Sequence, residues 1–130
     1  KNILFTEALQ QEIDRFNRLN YLKAKLIIEG DVIVLDSKVE TVLFRILQEF
    51  FSNTIKHARA TNLKVILIYE PKKMQIDIID NGIGFNSDYN PKDSGIGLQN
   101  IKNRAKLIGA DLKLSSETNK GTALQIIYNI

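Results

Sequence analysis

The chain has no cysteine and a single histidine, His57. Without a thiol there is neither a disulfide framework nor thiol chemistry. One imidazole with no thiolate leaves a zinc site short of ligands. No apolar run approaches the roughly 20 residues that cross a bilayer as a helix, and nothing at the N-terminus resembles a signal peptide. The initiator Met is missing as well, which leads us to expect an excised part of a longer protein. Charge of one sign is also scarce. The net charge is +3, the lysines are scattered, and only Lys72 and Lys73 are adjacent. Such a spread reads as solvated surface and gives no sign of a nucleic-acid partner.

What is present suits one globular domain with a real core: 130 residues, 44% hydrophobic and 25% charged. Residues 3 to 19 carry apolar positions at Leu4/Phe5, Ala8/Leu9, Ile13, Phe16 and Leu19, a helical spacing. Leu26 to Ile28 and Val32 to Leu35 flank Gly30-Asp31 and predict a β-hairpin. Ser37 followed by Glu40 forms a capping-box pattern and opens a long helix to about His57. Strands are expected at Leu63 to Tyr69 and Met74 to Ile79, joined by a turn at Glu70 to Lys73. A polar stretch comes next, then a helix from about Gly97 to Ile108, capped by Gly109. Asp111 to Ser115 and Thr122 to Tyr128 close the chain around Asn119-Lys120. Two internal helices among some six strands indicate a two-layer α/β sandwich, its sheet mixed and mainly antiparallel, with helices packed on one face.

Four stretches carry candidate chemistry. Asp80-Asn81-Gly82-Ile83-Gly84-Phe85 places a carboxylate at a strand end, followed by an amide and two glycines. Glycine lets a main chain approach a flat ring; Asp-Asn-Gly is equally a strong turn signal. On the long helix, Val39, Val42, Leu43, Ile46, Leu47 and Phe50 form an apolar stripe, bordered by Glu49, Asn53 and Lys56. At about 100° per residue those three lie within about 60° of one another. His57 points along the direction of Val39. A carboxylate, an amide oxygen and an ammonium on neighbouring turns suit a Mg²⁺–phosphate site; the same residues also suit a solvated helix end. Ser94-Gly95-Ile96-Gly97-Leu98 runs into a helix N-terminus, which attracts phosphate. It is neither a dinucleotide fingerprint nor a P-loop, since Asn100 replaces the third glycine and no Gly-Lys-Ser/Thr ending exists. Gly121-Thr122 opens the last strand, where the hydroxyl either reaches a ligand or favours the strand.

In order, these pieces resemble the ATP-binding domain of sensor histidine kinases. Glu49 to His57 looks like its N box, Asp80 to Phe85 its first glycine box, and Gly95 to Leu98 its second. Asn100 to Arg104 and Gly121-Thr122 resemble the segments that come after the second glycine box in that family. The run from Leu98 to Ala105 looks most like bacterial kinases related to nitrate and membrane-fluidity sensors. The fold is shared with gyrase, the ninety-kilodalton heat-shock chaperones and mismatch-repair ATPases. The resemblance covers about Leu22 to Ile130, so residues 21–130 would be the ATP-binding domain. Residues 1–20 would be either the tail of absent dimerisation helices or a helix of this domain.

The resemblance also implies roles. Asp80 would accept a hydrogen bond from the adenine amino group, where guanine offers a carbonyl, and so select ATP over GTP. Gly82 and Gly84 would let the loop close on the ring, with Thr122 helping near Asp80. Asn53 would ligate Mg²⁺. Lys56 and His57 would meet phosphate oxygens. Gly95 and Gly97 would hinge a short lid, and the helix from Leu98 would face the phosphates. Glu49 would be base or orienting carboxylate in phosphoryl transfer, with Lys56 as its catalytic companion. Asn119 departs from the family's usual glycine, but asparagine tolerates a left-handed conformation. The implied partners are a phosphoacceptor and dimerisation domain of the same homodimeric protein, then a response regulator. Localisation would be cytoplasmic, with a membrane reached only through upstream segments. Three alternatives share the pattern: a gyrase-type ATPase, an anti-sigma-type serine kinase and a degenerate nucleotide-binding docking module.

Overall fold

Phe5, Leu9, Ile13 and Phe16 recur at helical spacing, and they are the buried residues of the first helix, α1 (Phe5–Arg18). The computed structural model describes residues 4–57, 59–83, 98–117 and 119–130, with the backbone alone at His57 and Leu98. The helix stops at Leu19, and Asn20 turns the chain with a φ of 57°. Asn17 then ties α1 to the first strand, β1 (Lys23–Glu29). Its Nδ2 donates to the Ala24 carbonyl at 2.9 Å, and the Ala24 N–H donates to its Oδ1 at 2.8 Å.

The hairpin expected at residues 26–35 does not form. β1 pairs in parallel with β2 (Asn62–Glu70), from Lys23↔Asn62 to Glu29↔Ile68. After Gly30, residues 31–36 have no regular structure. Gly30 has a φ of +85°, and a Cβ there would strike the Tyr69 carbonyl, a position only glycine fills easily. The alternation that imitates a strand has another use. Leu35 is buried and Ile33 packs against the core, while Val32 and Val34 face solvent. The expected six strands are therefore five among the described residues.

Helix α2 (Ser37–His57) follows. Its capping differs from the expected Ser37/Glu40 box. The Glu40 N–H donates to the Asp36 carbonyl at 3.0 Å, and the Glu40 carboxylate reaches back to the Leu35 N–H at 3.1 Å. The acidic side chain still satisfies a free donor before the helix, one residue further out than a capping box would. The buried stripe is wider than the sequence suggested, because Phe51 and Thr54 join it. Phe51 meets Phe16 edge to face, with ring centroids 5.4 Å apart, and so seats α1 on α2.

β2 and β3 (Lys73–Asp80) form a hairpin around Pro71-Lys72, with Glu70 opposite Lys73. Helix α3 (Leu98–Ile108) ends at Gly109, where the Ala110 N–H reaches the Ala105 carbonyl and the Gly109 N–H reaches Lys106. β4 (Asp111–Glu117) and β5 (Gly121–Asn129) close the chain. Asn119, between them, has a φ of 65°, the conformation expected of it. The strand order is β1-β2-β3-β5-β4, with every pair after the first antiparallel. Period-2 alternation puts Leu63, Val65 and Leu67, then Met74, Ile76 and Ile78, then Leu124 and Ile126 on one face. The buried stripes of α1, α2 and α3 complete the same core. This is the expected two-layer α/β sandwich.

Candidate functional site

Asp80 ends β3 on the row that carries Met74, Ile76 and Ile78, so period 2 sends its carboxylate into the core. It is 4% exposed and Thr54 is 2% exposed; these are the buried polar side chains among the described residues. A carboxylate buried alone would be costly, and three donors answer this one. The Gly82 N–H (3.0 Å) and the Thr122 N–H (3.2 Å) donate to Oδ1, and the Thr54 hydroxyl (2.9 Å) donates to Oδ2. Bonds to a carboxylate are stronger than neutral ones. The donors belong to α2, to the turn after β3 and to the start of β5, so one side chain gathers three parts of the fold.

Strand register brings the rest. Asp80 lies opposite Thr122, and Thr122 lies opposite Ser116. The Ser116 and Thr122 hydroxyl oxygens are 2.9 Å apart. A cleft of about 280 Å³ at these strand ends is lined by Ile79, Ser115 and Ala123, which alternate to the face away from the core, with Glu117, Lys120 and Gly121 beside them, whereas the Asp80 carboxylate points to the core face. The amide of Asn81 frames the turn. Its Oδ1 accepts from the Thr61 N–H (2.9 Å) and the Asn62 N–H (2.8 Å), and its Nδ2 donates to the Thr61 hydroxyl at 2.8 Å. Asp-Asn-Gly is thus a turn, one of the two readings the sequence left open, and the carboxylate that opens it is the buried one.

On α2, Asn53 precedes Thr54 and is partly buried, and its amide makes no hydrogen bond to a described residue. Lys56 is exposed. Glu49 faces α3, its Oε1 3.8 Å from Nη1 of Arg104. The predicted positions Gly84, Gly95 and Gly97 lie outside the described residues, as do the side chains of His57 and Leu98. Asp80, Gly82 and Thr122 come together directly, and Asn53 joins them through its neighbour Thr54. Glu49 is tied to the helix that Leu98 begins.

Sequence reasoning overlooked Thr54, Ser116, Arg104 and the side-chain role of Asn81. Thr54 carried a signal. It continues the spacing of Leu47 and Phe50, where an apolar residue was due, and a hydroxyl in that row needs a partner. Chemically, a buried carboxylate with one acceptor position left suits an N–H donor on a flat ring. The amide oxygen of Asn53 and the ammonium further along α2 suit metal-bound phosphate.

Residues 38–129 match the family described as histidine kinase-, DNA gyrase B- and HSP90-like ATPases. The chain is 35% identical over 122 residues to the sensor histidine kinase LiaS of Bacillus subtilis, covering 92% of this chain and 32% of LiaS. It is 31% identical over 91 residues to the oxygen sensor histidine kinase NreB of Staphylococcus carnosus, covering 70% of this chain and 26% of NreB. The chain therefore spans about a third or less of the curated relatives it matches. In solved structures, the histidine kinase AdeS of Acinetobacter baumannii shares the fold with a TM-score of 0.77 at 16% identity, over 99% of this chain and 66% of that one. The mycobacterial sensor histidine kinase MprB does so with a TM-score of 0.68 at 20% identity, over 98% and 95%. On the match that spans α2 through β5, this chain belongs to the histidine kinase-, DNA gyrase B- and HSP90-like ATPase family.

Proposed function

We propose that this chain binds Mg·ATP and, within a longer sensor kinase, passes the γ-phosphoryl group to a histidine on a separate dimerisation and phosphoacceptor domain. A response regulator would then take the phosphoryl group. The observation that carries this reading is the Asp80 carboxylate, buried at the end of β3 and held by three donors that leave one acceptor position on Oδ2. The similarity to the sensor histidine kinases LiaS and NreB supports the choice of phosphoryl transfer. Asp80 accepts from the adenine amino group, while Gly82 and Gly84 let the turn close on the ring. Gly95 and Gly97 hinge the lid, and the start of α3 at Leu98 faces the phosphates. Thr122 supports Asp80 from β5. Lys56 and His57 meet phosphate oxygens, and Glu49 orients or deprotonates the attacking group.

Asn53 fits magnesium, because its amide is partly buried without a partner among the described residues and offers the oxygen this ion prefers. Bound there, the ion would offset charge on the triphosphate oxygens. The protein's own part is positioning: α2 holds Asn53 and Lys56 one turn apart while β3 and β5 fix the ring. The packing of α1 into the shared core supports reading it as a helix of this domain rather than as part of a linker. No described helix is long and apolar enough to cross a membrane; a cytoplasmic domain of a homodimeric, membrane-anchored kinase is the arrangement proposed.

Calorimetric titration with ATP and GTP, with and without Mg²⁺, tests the site. Addition of a phosphoacceptor domain then tests the reaction. Magnesium-dependent binding of ATP over GTP and an acid-labile product are expected. Steady phosphate release without transfer would point to a gyrase-type ATPase, and acid-stable phosphoserine to a serine kinase. Failure to bind either nucleotide overturns the proposal.

A further inference from the structure

A carboxylate has about four acceptor positions, two on each oxygen. The two main-chain donors, from Gly82 and Thr122, occupy both positions on Oδ1 of Asp80. The Thr54 hydroxyl occupies one on Oδ2. One position remains. Thr54 is 2% exposed and sits on a helix turn packed into the core, so its hydroxyl has no freedom to wander. Because the carboxylate accepts, Thr54 must donate, which fixes the hydroxyl proton toward Asp80 and holds the carboxyl plane against rotation about its own bond.

From this we infer that Thr54 is a positioning residue that sets the purine specificity of the site. It fills one of the two Oδ2 positions and leaves the other aimed at the ligand's 6-substituent, where it accepts one N–H and no more. A 6-amino group satisfies that geometry, whereas a 6-oxo group and a bare C–H do not. The inference rests on the adenine-binding reading of Asp80 and assigns to α2 a share in base discrimination that the strand end alone would not give. The main-chain donors cannot supply this constraint, since both act on Oδ1 and leave Oδ2 free on its two sides.

Thr54→Val keeps the shape of the side chain and removes the donor; Thr54→Ser keeps the donor and removes the methyl. Calorimetry on the 130-residue chain would compare ATP with purine riboside triphosphate, which lacks the 6-amino group, in the parent and both variants. The expected result is a preference for ATP of about tenfold or more in the parent and in Thr54→Ser, falling at least about fivefold in Thr54→Val. The ratio of two ligands on one sample is insensitive to a general loss of stability, and Thr54→Ala repeats the comparison should the valine variant not fold. A Thr54→Val chain that melts lower but keeps the parent's ratio overturns this inference alone. A parent that binds neither nucleotide overturns the adenine reading and this inference together.

Discussion

The main chain of Gly121 lies so close to that of Asp80 that any Cβ at position 121 would strike the Asp80 carbonyl oxygen. Gly121 also has a φ of +91°, in the region that L side chains rarely enter. Two separate reasons therefore demand glycine at the start of β5. Gly121→Ala is expected to cost about 2–4 kcal/mol, combining backbone strain with overpacking. Thermal melting should show a fall on the order of 10 °C. Because Thr122 donates to Asp80 from the next residue, nucleotide affinity should drop as well. An alanine variant as stable as the parent would mean that the two strands are not in the contact described.

Asp80→Asn tests the carboxylate directly. The amide oxygen can still accept from Gly82 and Thr122, and the Thr54 hydroxyl can turn to accept from the new amide N–H. The fold should therefore survive with a loss of about 1–2 kcal/mol. The position facing the ligand changes more, because an N–H replaces an acceptor and meets the adenine amino group donor to donor. ATP affinity should fall by roughly tenfold to a hundredfold, the size of a lost hydrogen bond to a charged group. Unchanged ATP binding by calorimetry would remove Asp80 from adenine recognition.

Much of this fold is legible in local pattern. The spacing of Phe5, Leu9, Ile13 and Phe16 announced α1, and alternation announced β2 and β3, because one face of each is buried. The segment after Gly30 misled for a physical reason. Ile33 and Leu35 alternate with exposed valines as a strand would, but they cover the core beside α2, and β1 finds its partner in β2 beyond that helix. Such a pairing leaves no local trace. The site divides in the same way. Asp80, Asn53 and Thr122 stood out because polar residues interrupt apolar runs or follow glycine. Thr54 showed in the sequence as a hydroxyl in an apolar row, but its partner, 26 positions away, shows only in the fold, and Arg104 shows only through the helix contact that places it by Glu49.

The pair of Glu49 and Arg104 separates stability from chemistry. Its 3.8 Å separation and partial exposure describe a bridge of little energetic weight. Arg104→Met should change unfolding free energy by less than about 1 kcal/mol in a urea titration. Glu49→Gln, at similar stability, should slow phosphoryl transfer to an added phosphoacceptor domain by on the order of a hundredfold. ATP affinity should stay within about twofold if the carboxylate acts on the attacking group rather than on the bound nucleotide. A Glu49→Gln variant that transfers at the parent's rate would exclude that role.

Tyr69 supplies a pH dependence far from the cleft, since it pairs with Met74 at the other end of the hairpin from Asp80. Burial first, and then the negative charge of Glu40, push its hydroxyl from the ordinary 10.0 up to about 12. A folded-state value above the unfolded one means that the native chain holds its proton longer. The resulting stabilisation is complete below pH 10 and disappears as pH rises toward 12. Discounted for screening by nearby solvent, the loss across that window is on the order of 1–2 kcal/mol. Chemical denaturation followed from about pH 9 upward through this window should show the decline in the parent. Tyr69→Phe should flatten it, because phenylalanine has no proton to lose. Equal slopes in parent and variant would assign the alkaline transition to other groups, such as the scattered lysines.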